Sequence, residues 1–207
     1  MKKGRRYFAV SIVLLFAFLI VVTLNLFDKY SITGNFIKEG TAYNCSNCTD
    51  CIAAIADASA GDTIYLNNTI SAAVSDCIDM SGASNIIFDC INHSNHIQGD
   101  GIITDVGIGL VGSYNNTIRN CNVSNFQSGL YIETSSNNTI INSDFFGNGI
   151  GINLLADSFN NTVVNSLIRE NAEQGIYRAN ILNDGNSLIG VNISKNKYGV
   201  YLEGAPA

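Results

Sequence analysis

The residues of this chain that are best suited to bind a metal lie in one short stretch. Cys90, His93 and His96 are three residues apart, and Asp100 follows closely. Thiolate and imidazole groups at such spacings are ligands for copper or zinc. However, the chain has only two histidines and two methionines among its 207 residues, which is a small supply of ligands for a soft metal. We therefore predict no metal site and keep Cys90, His93 and His96 as the candidates for one.

The six cysteines are the second group with recognisable chemistry. They are a close triplet and three more widely spaced residues: Cys45, Cys48, Cys51, Cys77, Cys90 and Cys121. In the cytosol the triplet would indicate a metal or cluster site, whereas outside the cytoplasm disulfides are the default. Six cysteines allow 15 pairings, and the sequence does not choose among them. We predict disulfides that involve the triplet and fasten the N-terminal end of the domain, with a metal site as the alternative.

Carboxylates could support hydrolysis only if two of them flanked a scissile bond, about 5 to 9.5 Å apart. The candidates fall at different phases of the sequence pattern: Asp89, Asp100, Asp105, Asp144, Asp157 and Asp184. No catalytic residue and no cofactor is therefore assigned. The sequence leaves enzymatic activity open and favours its absence.

These residues must be positioned by a repeat that runs from residue 115 to residue 202. One phrase, Asn-Asn-Thr followed by Ile or Val, begins at Asn115, Asn137 and Asn160, and a diverged copy begins at Gly185. The spacings are 22, 23 and 25 residues. A second phrase follows each copy and begins at Gly129, Gly151, Gly175 and Gly199. A fixed period of this length is the signature of a repeat architecture.

The residue types within the repeat predict strands and bends. Short β-branched runs alternate with Asn, Ser and Gly, and no ten-residue stretch has helical spacing. We predict an all-β fold, a single-stranded right-handed parallel β-helix with coils of about 22 residues and strands stacked about 4.8 Å apart. Asn115, Asn137 and Asn160 should form a hydrogen-bonded ladder at the bends, where Asn and Gly tolerate positive φ. The four repeat glycines should stack in the same way.

Within this repeat, Cys90 and Cys121 occupy one position of adjacent turns. Their Cα atoms should be about 4.8 Å apart, which is inside the usual disulfide range. Parallel stacking would keep the Cβ atoms at a similar separation, wider than a relaxed disulfide prefers. A disulfide and a pair of buried free thiols both remain open.

The phrases Gly-Ile-x-Leu and Asn-Asn-Thr-Ile-x-Asn resemble the β-helix repeats of the pectin-lyase-like superfamily. The resemblance covers about residues 50 to 203 and is closest to the NosD-like branch, named for a periplasmic protein linked to copper-site maturation. Thr49 to Leu66 resembles the capping helix and first strand of that superfamily. Thr49 or Asp50 could cap such a helix, and Ile52, Ile55 and Ala56 would share one face. The resemblance also implies polysaccharide lyase or hydrolase activity as an alternative function.

The N-terminus predicts a membrane anchor. Residues 1–6 carry four basic side chains, and residues 7–27 are uncharged and rich in Leu, Ile, Val and Phe. This segment is long enough to cross a membrane, and the basic cluster places the N-terminus in the cytoplasm. A cleaved signal peptide is the alternative. Residues 28–44 should form a stalk, and residues 45–207 an extracytoplasmic β-helix domain that is truncated at its C-terminus.

The charge distribution limits which kinds of partner the protein can bind. Beyond the anchor, 7 basic residues face 17 acidic ones, so phosphate neutralisation and nucleic-acid binding are disfavoured. Asn44, Asn47 and Asn67 are the preferred candidates among the Asn-x-Ser/Thr glycosylation sequons. We predict a membrane-anchored, cell-surface module that binds carbohydrate or serves a structural role. The alternatives are a polysaccharide lyase or hydrolase and a NosD-like copper-binding protein.

Overall fold

A computed structural model describes residues 40–71, 76–91, 93, 95–101, 105–155, 157–179 and 185–204 of the chain. The predicted anchor, residues 7–27, and most of the predicted stalk lie outside this part. Within the described ranges, no helix has the length and apolar character needed to span a membrane.

One short helix and nineteen strands make up the described fold. In chain order they are β1 (Ala42–Cys45), α1 (Cys48–Asp57), β2 (Thr63–Leu66), β3 (Ile70–Ser71), β4 (Ile78–Asp79), β5 (Ile87–Asp89), β6 (His96–Gln98), β7 (Val106–Val111), β8 (Thr117–Arg119), β9 (Asn122–Ser124), β10 (Ser128–Glu133), β11 (Thr139–Ile141), β12 (Asp144–Phe146), β13 (Ile150–Leu154), β14 (Thr162–Val164), β15 (Leu167–Arg169), β16 (Gln174–Ala179), β17 (Ser187–Ile189), β18 (Asn192–Ser194) and β19 (Tyr198–Glu203). The strand β1 begins within the segment predicted as a stalk.

The strands form three parallel sheets, because each turn contributes one strand to each sheet. Sheet A contains β1, β2, β5, β8, β11, β14 and β17; sheet B contains β3, β6, β9, β12, β15 and β18; sheet C contains β4, β7, β10, β13, β16 and β19. Residues one repeat apart are direct partners, as in the series Thr117, Thr139 and Thr162. The fold is therefore the predicted right-handed parallel β-helix, with about six turns, since sheets B and C have six strands each.

The core is a column of apolar side chains inside the coil. In sheet A the middle residue of each strand points inward, and Phe88, Ile118 and Ile140 are fully buried. Each such side chain stabilises the fold by about 1.5–3 kcal/mol through removal of apolar surface from water. A single turn could not bury these groups, so stability comes from stacking of neighbouring turns.

An asparagine ladder runs along one bend, inside the coil. Asn116 donates its side-chain amide to Asn138 at 3.1 Å, Asn138 donates to Asn161 at 3.0 Å, and Asn161 donates to Asn186 at 3.1 Å. The same oxygens also accept backbone N–H groups of the preceding turn. The ladder thus satisfies buried backbone donors that no strand partner reaches.

The prediction that Asn115, Asn137 and Asn160 form this ladder is wrong by one residue. These three residues have positive φ angles of 57°, 56° and 55°, and all three are exposed. The left-handed backbone at the first asparagine turns the chain into the next strand, so the second asparagine is the one that faces inward. The repeat phrase therefore carries two roles, a bend residue followed by a ladder residue.

The repeat glycines stack as predicted, against a second ladder that the sequence analysis did not identify. Asn171 donates its side-chain amide to Asn196 at 2.9 Å, and Oδ1 of Asn171 accepts the backbone N–H of Asn148, one turn earlier, at 2.9 Å. A Cβ atom on Gly151 would lie 2.6 Å from the carbonyl oxygen of Gly175 and 2.7 Å from Nδ2 of Asn171. Glycine is required here because the backbones and the ladder approach too closely for any side chain.

All six cysteines form disulfides, which confirms the prediction for the triplet. The pairs are Cys45–Cys51, Cys48–Cys77 and Cys90–Cys121. The first joins β1 to α1, and the second joins α1 to the residue that precedes β4. The Cα atoms of Cys90 and Cys121 are 4.9 Å apart, close to the expected separation, and the disulfide replaces the alternative of free thiols.

The helix α1 packs over the N-terminal end of the coil, where it contacts β1, β2 and β4. Its cap is Asn47, whose side chain accepts the N–H of Asp50, so neither Thr49 nor Asp50 is the capping residue. Cys51, Ala54 and Ile55 form the buried face. Of the residues predicted for that face, Ile52 is 38% exposed and Ala56 is exposed as well, because the disulfides rotate the helix toward its Cys51 side.

Candidate functional site

The three candidates for a metal site do not form one cluster, because Cys90 lies in the core whereas His93 and His96 lie on the outside of the coil. Cys90 is buried and bonded to Cys121. His93 sits in a bend with φ of 60°, and its Nδ1 is 3.2 Å from the side-chain oxygen of Asn122. His96 is on β6, where its Nε2 is 2.8 Å from Oγ of Ser124.

A polar groove of about 640 Å³ opens beside these histidines. It is lined by side chains of successive turns: His93, Asn120, Asn122, Asn142, Ser143, Asp144, Asn165 and Leu167. Arg169 donates to Oδ2 of Asp144 at 2.7 Å, whereas Oδ1 of Asp144 is buried and has no hydrogen-bond partner among the described residues. The groove is therefore a surface of amide and carboxylate groups.

Sheet B also carries a stack of three planar side chains, His96, Phe146 and Arg169. The rings of His96 and Phe146 are 5.4 Å apart and stacked, and the guanidinium carbon of Arg169 lies 4.6 Å from the centre of the Phe146 ring. Burial lowers the pKa of His96, and the charge of Asp144 opposes that change. The hydrogen bond to Asp144 raises the pKa of Arg169. His96 is therefore neutral at pH 7. His96 and Arg169 both contact the ring of Phe146.

A second ion pair lies on sheet A. Arg119 donates to Oδ2 of Asp89 at 2.7 Å, and Asn120 donates to Oδ1 at 2.9 Å. Burial alone would raise the pKa of Asp89, but hydrogen bonds from Asn120, the Ile91 backbone N–H and Arg119 outweigh it and lower the pKa. Asp89 and Asp144 thus each form an ion pair with an arginine.

The described residues do not fit copper. Within the described ranges, no group of three or more His, Cys, Asp or Glu residues is arranged to hold a metal ion. The six sulfurs that could have been thiolate ligands are in disulfides, and a thioether ligand, Met80, is fully buried. His96 is engaged by Ser124 and Phe146.

The outer surface of sheet C has a different chemistry, which the sequence analysis missed. Tyr131, Asn153, Tyr177 and Tyr201 are direct partners on β10, β13, β16 and β19. We call this row, together with Tyr198, Glu133 and Glu203, the tyrosine face. The second repeat phrase already indicated this row of tyrosines. In three of its four copies, the residue two positions after the repeat glycine is Tyr.

Hydrogen bonds to carboxylates and ring contacts organise the tyrosine face. Tyr131 donates its hydroxyl to Glu133 at 3.0 Å, and Tyr177 donates to Glu203. The rings of Tyr177 and Tyr201 are 5.9 Å apart and nearly parallel, at 10°. Burial and the bond to Glu133 raise the pKa of Tyr131, so its hydroxyl stays protonated at neutral pH. Over four turns the tyrosine face therefore carries tyrosine rings on three strands and carboxylates on two.

The preferred glycosylation candidates lie near the N-terminal end of the described fold. Asn44, Asn47 and Asn67 are exposed. The side chain of Asn47 is engaged as the helix cap and also donates to Asp50 at 2.6 Å. Modification at these three positions stays a prediction.

The sequence model of the NosD family, described as periplasmic copper-binding protein (NosD), matches residues 28–206. A comparison with curated proteins found no similar sequence. Among solved structures, a pectate lyase, Pel9A, is 19% identical and superposes with a TM-score of 0.47. That alignment covers 67% of this chain and 40% of the pectate lyase, so the chain spans less than half of its length. The family model extends over most of the sequence, and the chain therefore belongs to the NosD family.

Proposed function

We propose that this protein is an extracytoplasmic β-helix module that binds carbohydrate through the tyrosine face. The observation that carries the proposal is the in-register row of Tyr131, Asn153, Tyr177 and Tyr201, with Glu133 and Glu203 beside it. Tyrosine offers a large, rigid contact area with a polar end, at a small cost in side-chain entropy. Amide and carboxylate oxygens can accept hydrogen bonds from sugar hydroxyls.

Exposure distinguishes the tyrosine face from the aromatic stack on sheet B. Tyr198 and Tyr201 are 46% and 41% exposed, so their rings can contact a ligand without rearrangement. On sheet B, His96 and Arg169 already cover the ring of Phe146. The apolar contact that a sugar ring needs is therefore offered by sheet C.

An extracytoplasmic location is supported by the cysteines and by the family. All six cysteines are in disulfides, which persist in oxidising compartments, and the family is described as periplasmic. We also propose that residues 7–27 anchor the chain with its N-terminus in the cytoplasm. Protease treatment of spheroplasts tests this orientation: digestion of the C-terminal domain in intact spheroplasts is expected, and digestion only after their lysis would overturn it.

Binding to immobilised glycans tests the function. Wild-type protein should bind at least one class of polysaccharide, and Tyr201→Ala should weaken that binding at least about tenfold, equivalent to about 1.4 kcal/mol. Tyr114→Ala is the matched control, because Tyr114 is 47% exposed but lies in the bend between sheets C and A, outside the row of the tyrosine face. No binding by the wild-type protein, or equal losses for the two variants, would refute the proposal.

A further inference from the structure

The row on the tyrosine face contains one gap, at Asn153. Its partners in the register are Tyr131 on one side and Tyr177 on the other. The two tyrosines are therefore two strand spacings apart, about 9.5 Å. Carbon atoms in contact are about 3.5–4.0 Å apart, so two flanking rings at this separation leave room for one further ring between them.

Hydrogen bonds to glutamates restrain Tyr131 and Tyr177 from moving toward each other across this gap. Tyr177 stacks on Tyr201 and donates to Glu203, one turn further along the coil. Tyr131 donates to Glu133 on its own strand. Movement of the two rings toward each other would break these bonds, so the bonds favour separate positions for the rings on either side of Asn153.

The base of the gap has unsatisfied hydrogen-bonding capacity. Asn153 donates its amide to Oγ of Ser128 at 3.3 Å. Its Oδ1 is buried and has no hydrogen-bond partner among the described residues. A buried acceptor without a donor costs about 1–3 kcal/mol, and a sugar hydroxyl between the tyrosines would supply the donor once the Asn153 side chain turns toward it.

The charge around the gap selects among ligands. Glu133 and Glu203 are the charged members of the tyrosine face, and the chain has a net charge of −6. The nearby Lys197 is paired with Glu173 at 2.7 Å. A glycan that carries carboxylates would bring like charges together on this surface, whereas neutral hydroxyls can donate to the two glutamates.

We infer that the gap above Asn153 is the primary subsite of the tyrosine face and that it binds one ring of a neutral glycan between Tyr131 and Tyr177. This inference rests on the proposed carbohydrate binding and adds to it the position of the subsite and the class of ligand. Sugars without carboxylates are preferred, and acidic polysaccharides are excluded.

Isothermal titration with three hexasaccharides tests the inference: a β-1,4-glucan, a β-1,4-mannan and a galacturonate. The wild-type protein should bind at least one neutral probe, and at least about tenfold more tightly than the galacturonate. Asn153→Tyr fills the gap and should weaken binding of the neutral probe at least about tenfold. Ile141→Tyr adds the same side chain to the outer surface of sheet A and should leave binding unchanged. Circular dichroism and thermal unfolding of each variant establish that the fold is retained.

The outcomes separate the two proposals. If none of the probes, neutral or acidic, binds the wild-type protein, the carbohydrate-binding proposal fails and the subsite fails with it. If Tyr201→Ala loses binding while a folded Asn153→Tyr keeps it, the tyrosine face binds glycan and the subsite is wrong. If the galacturonate binds as tightly as the neutral probes, the assignment of ligand class is overturned. Should Asn153→Tyr unfold the protein, Asn153→Leu keeps the branching of the side chain and removes its amide; weaker binding of the neutral probe by this variant is expected, and unchanged binding would overturn the subsite.

Discussion

The inner asparagine ladder should be the most mutation-sensitive polar element of the fold, and Asn138→Ala tests it. Oδ1 of Asn138 accepts from the backbone N–H of Asn116 at 3.0 Å and from its side-chain amide at 3.1 Å. Nδ2 of Asn138 donates to the Ser113 carbonyl at 3.1 Å and to Asn161 at 3.0 Å. Alanine removes all four bonds, because both atoms of the amide are lost.

The expected loss follows from this count. A buried hydrogen bond contributes about 1 kcal/mol net, so four bonds correspond to about 4 kcal/mol. Several former partners keep another bond: the Ser113 carbonyl still accepts the Ser136 N–H, and the side-chain amide of Asn116 still donates to Ala83. The buried backbone N–H of Asn116 loses Oδ1 of Asn138 as its acceptor. We therefore keep the full estimate of about 4 kcal/mol for the loss in free energy of unfolding.

Urea denaturation of the purified chain, followed by circular dichroism, measures the free energy of unfolding. The matched control is Asn137→Ala, one residue earlier, where the side chain is exposed and its amide reaches Ser136 Oγ at 3.5 Å. Alanine there must adopt a φ of 56°, which costs about 1–2 kcal/mol. Asn138→Ala should therefore destabilise the protein by roughly 2–3 kcal/mol more than the control. Equal losses, or a greater loss for Asn137→Ala, would refute the assignment of the ladder to the second asparagine.

Three further predictions concern the links between turns. Replacing Cys90 and Cys121 with serine opens a crosslink with a sequence separation of 31 residues and should lower the free energy of unfolding by about 3.5 kcal/mol; an unchanged melting temperature would argue against the bond. Gly151→Ala should lower the urea midpoint, since its Cβ would meet a carbonyl oxygen at 2.6 Å, whereas Gly109→Ala, with its nearest neighbours at 3.9 Å, should not; equal midpoints would contradict the close stacking. Because the pKa of Asp89 is lowered, its contribution is complete above the ordinary value of 3.8 and is lost as the pH falls through the lowered pKa. The stability difference between the wild type and Asp89→Asn should shrink over that pH range, and a difference independent of pH would count against the ion pair.

The sequence by itself determined the architecture, because the repeat period fixes which residues stack. The spacing between Asn115, Asn137 and Asn160 is the length of one turn, and the β-branched runs between bends can only be strands. The same alignment placed Cys90 and Cys121 on adjacent turns. Local residue type and period are sufficient here, since every turn repeats the same local solution.

Only the tertiary structure decided which way each side chain points. A shift of one residue in a strand or bend moves a side chain from the inside to the outside, and the positive φ at Asn137 makes Asn138 the ladder residue. The pairing of Cys48 with Cys77 depends on the docking of the helix, which no period describes. The tyrosine face arises in the same way: Tyr131 and Tyr177 are 46 residues apart by number, and only the stacking of turns makes them the two sides of one gap.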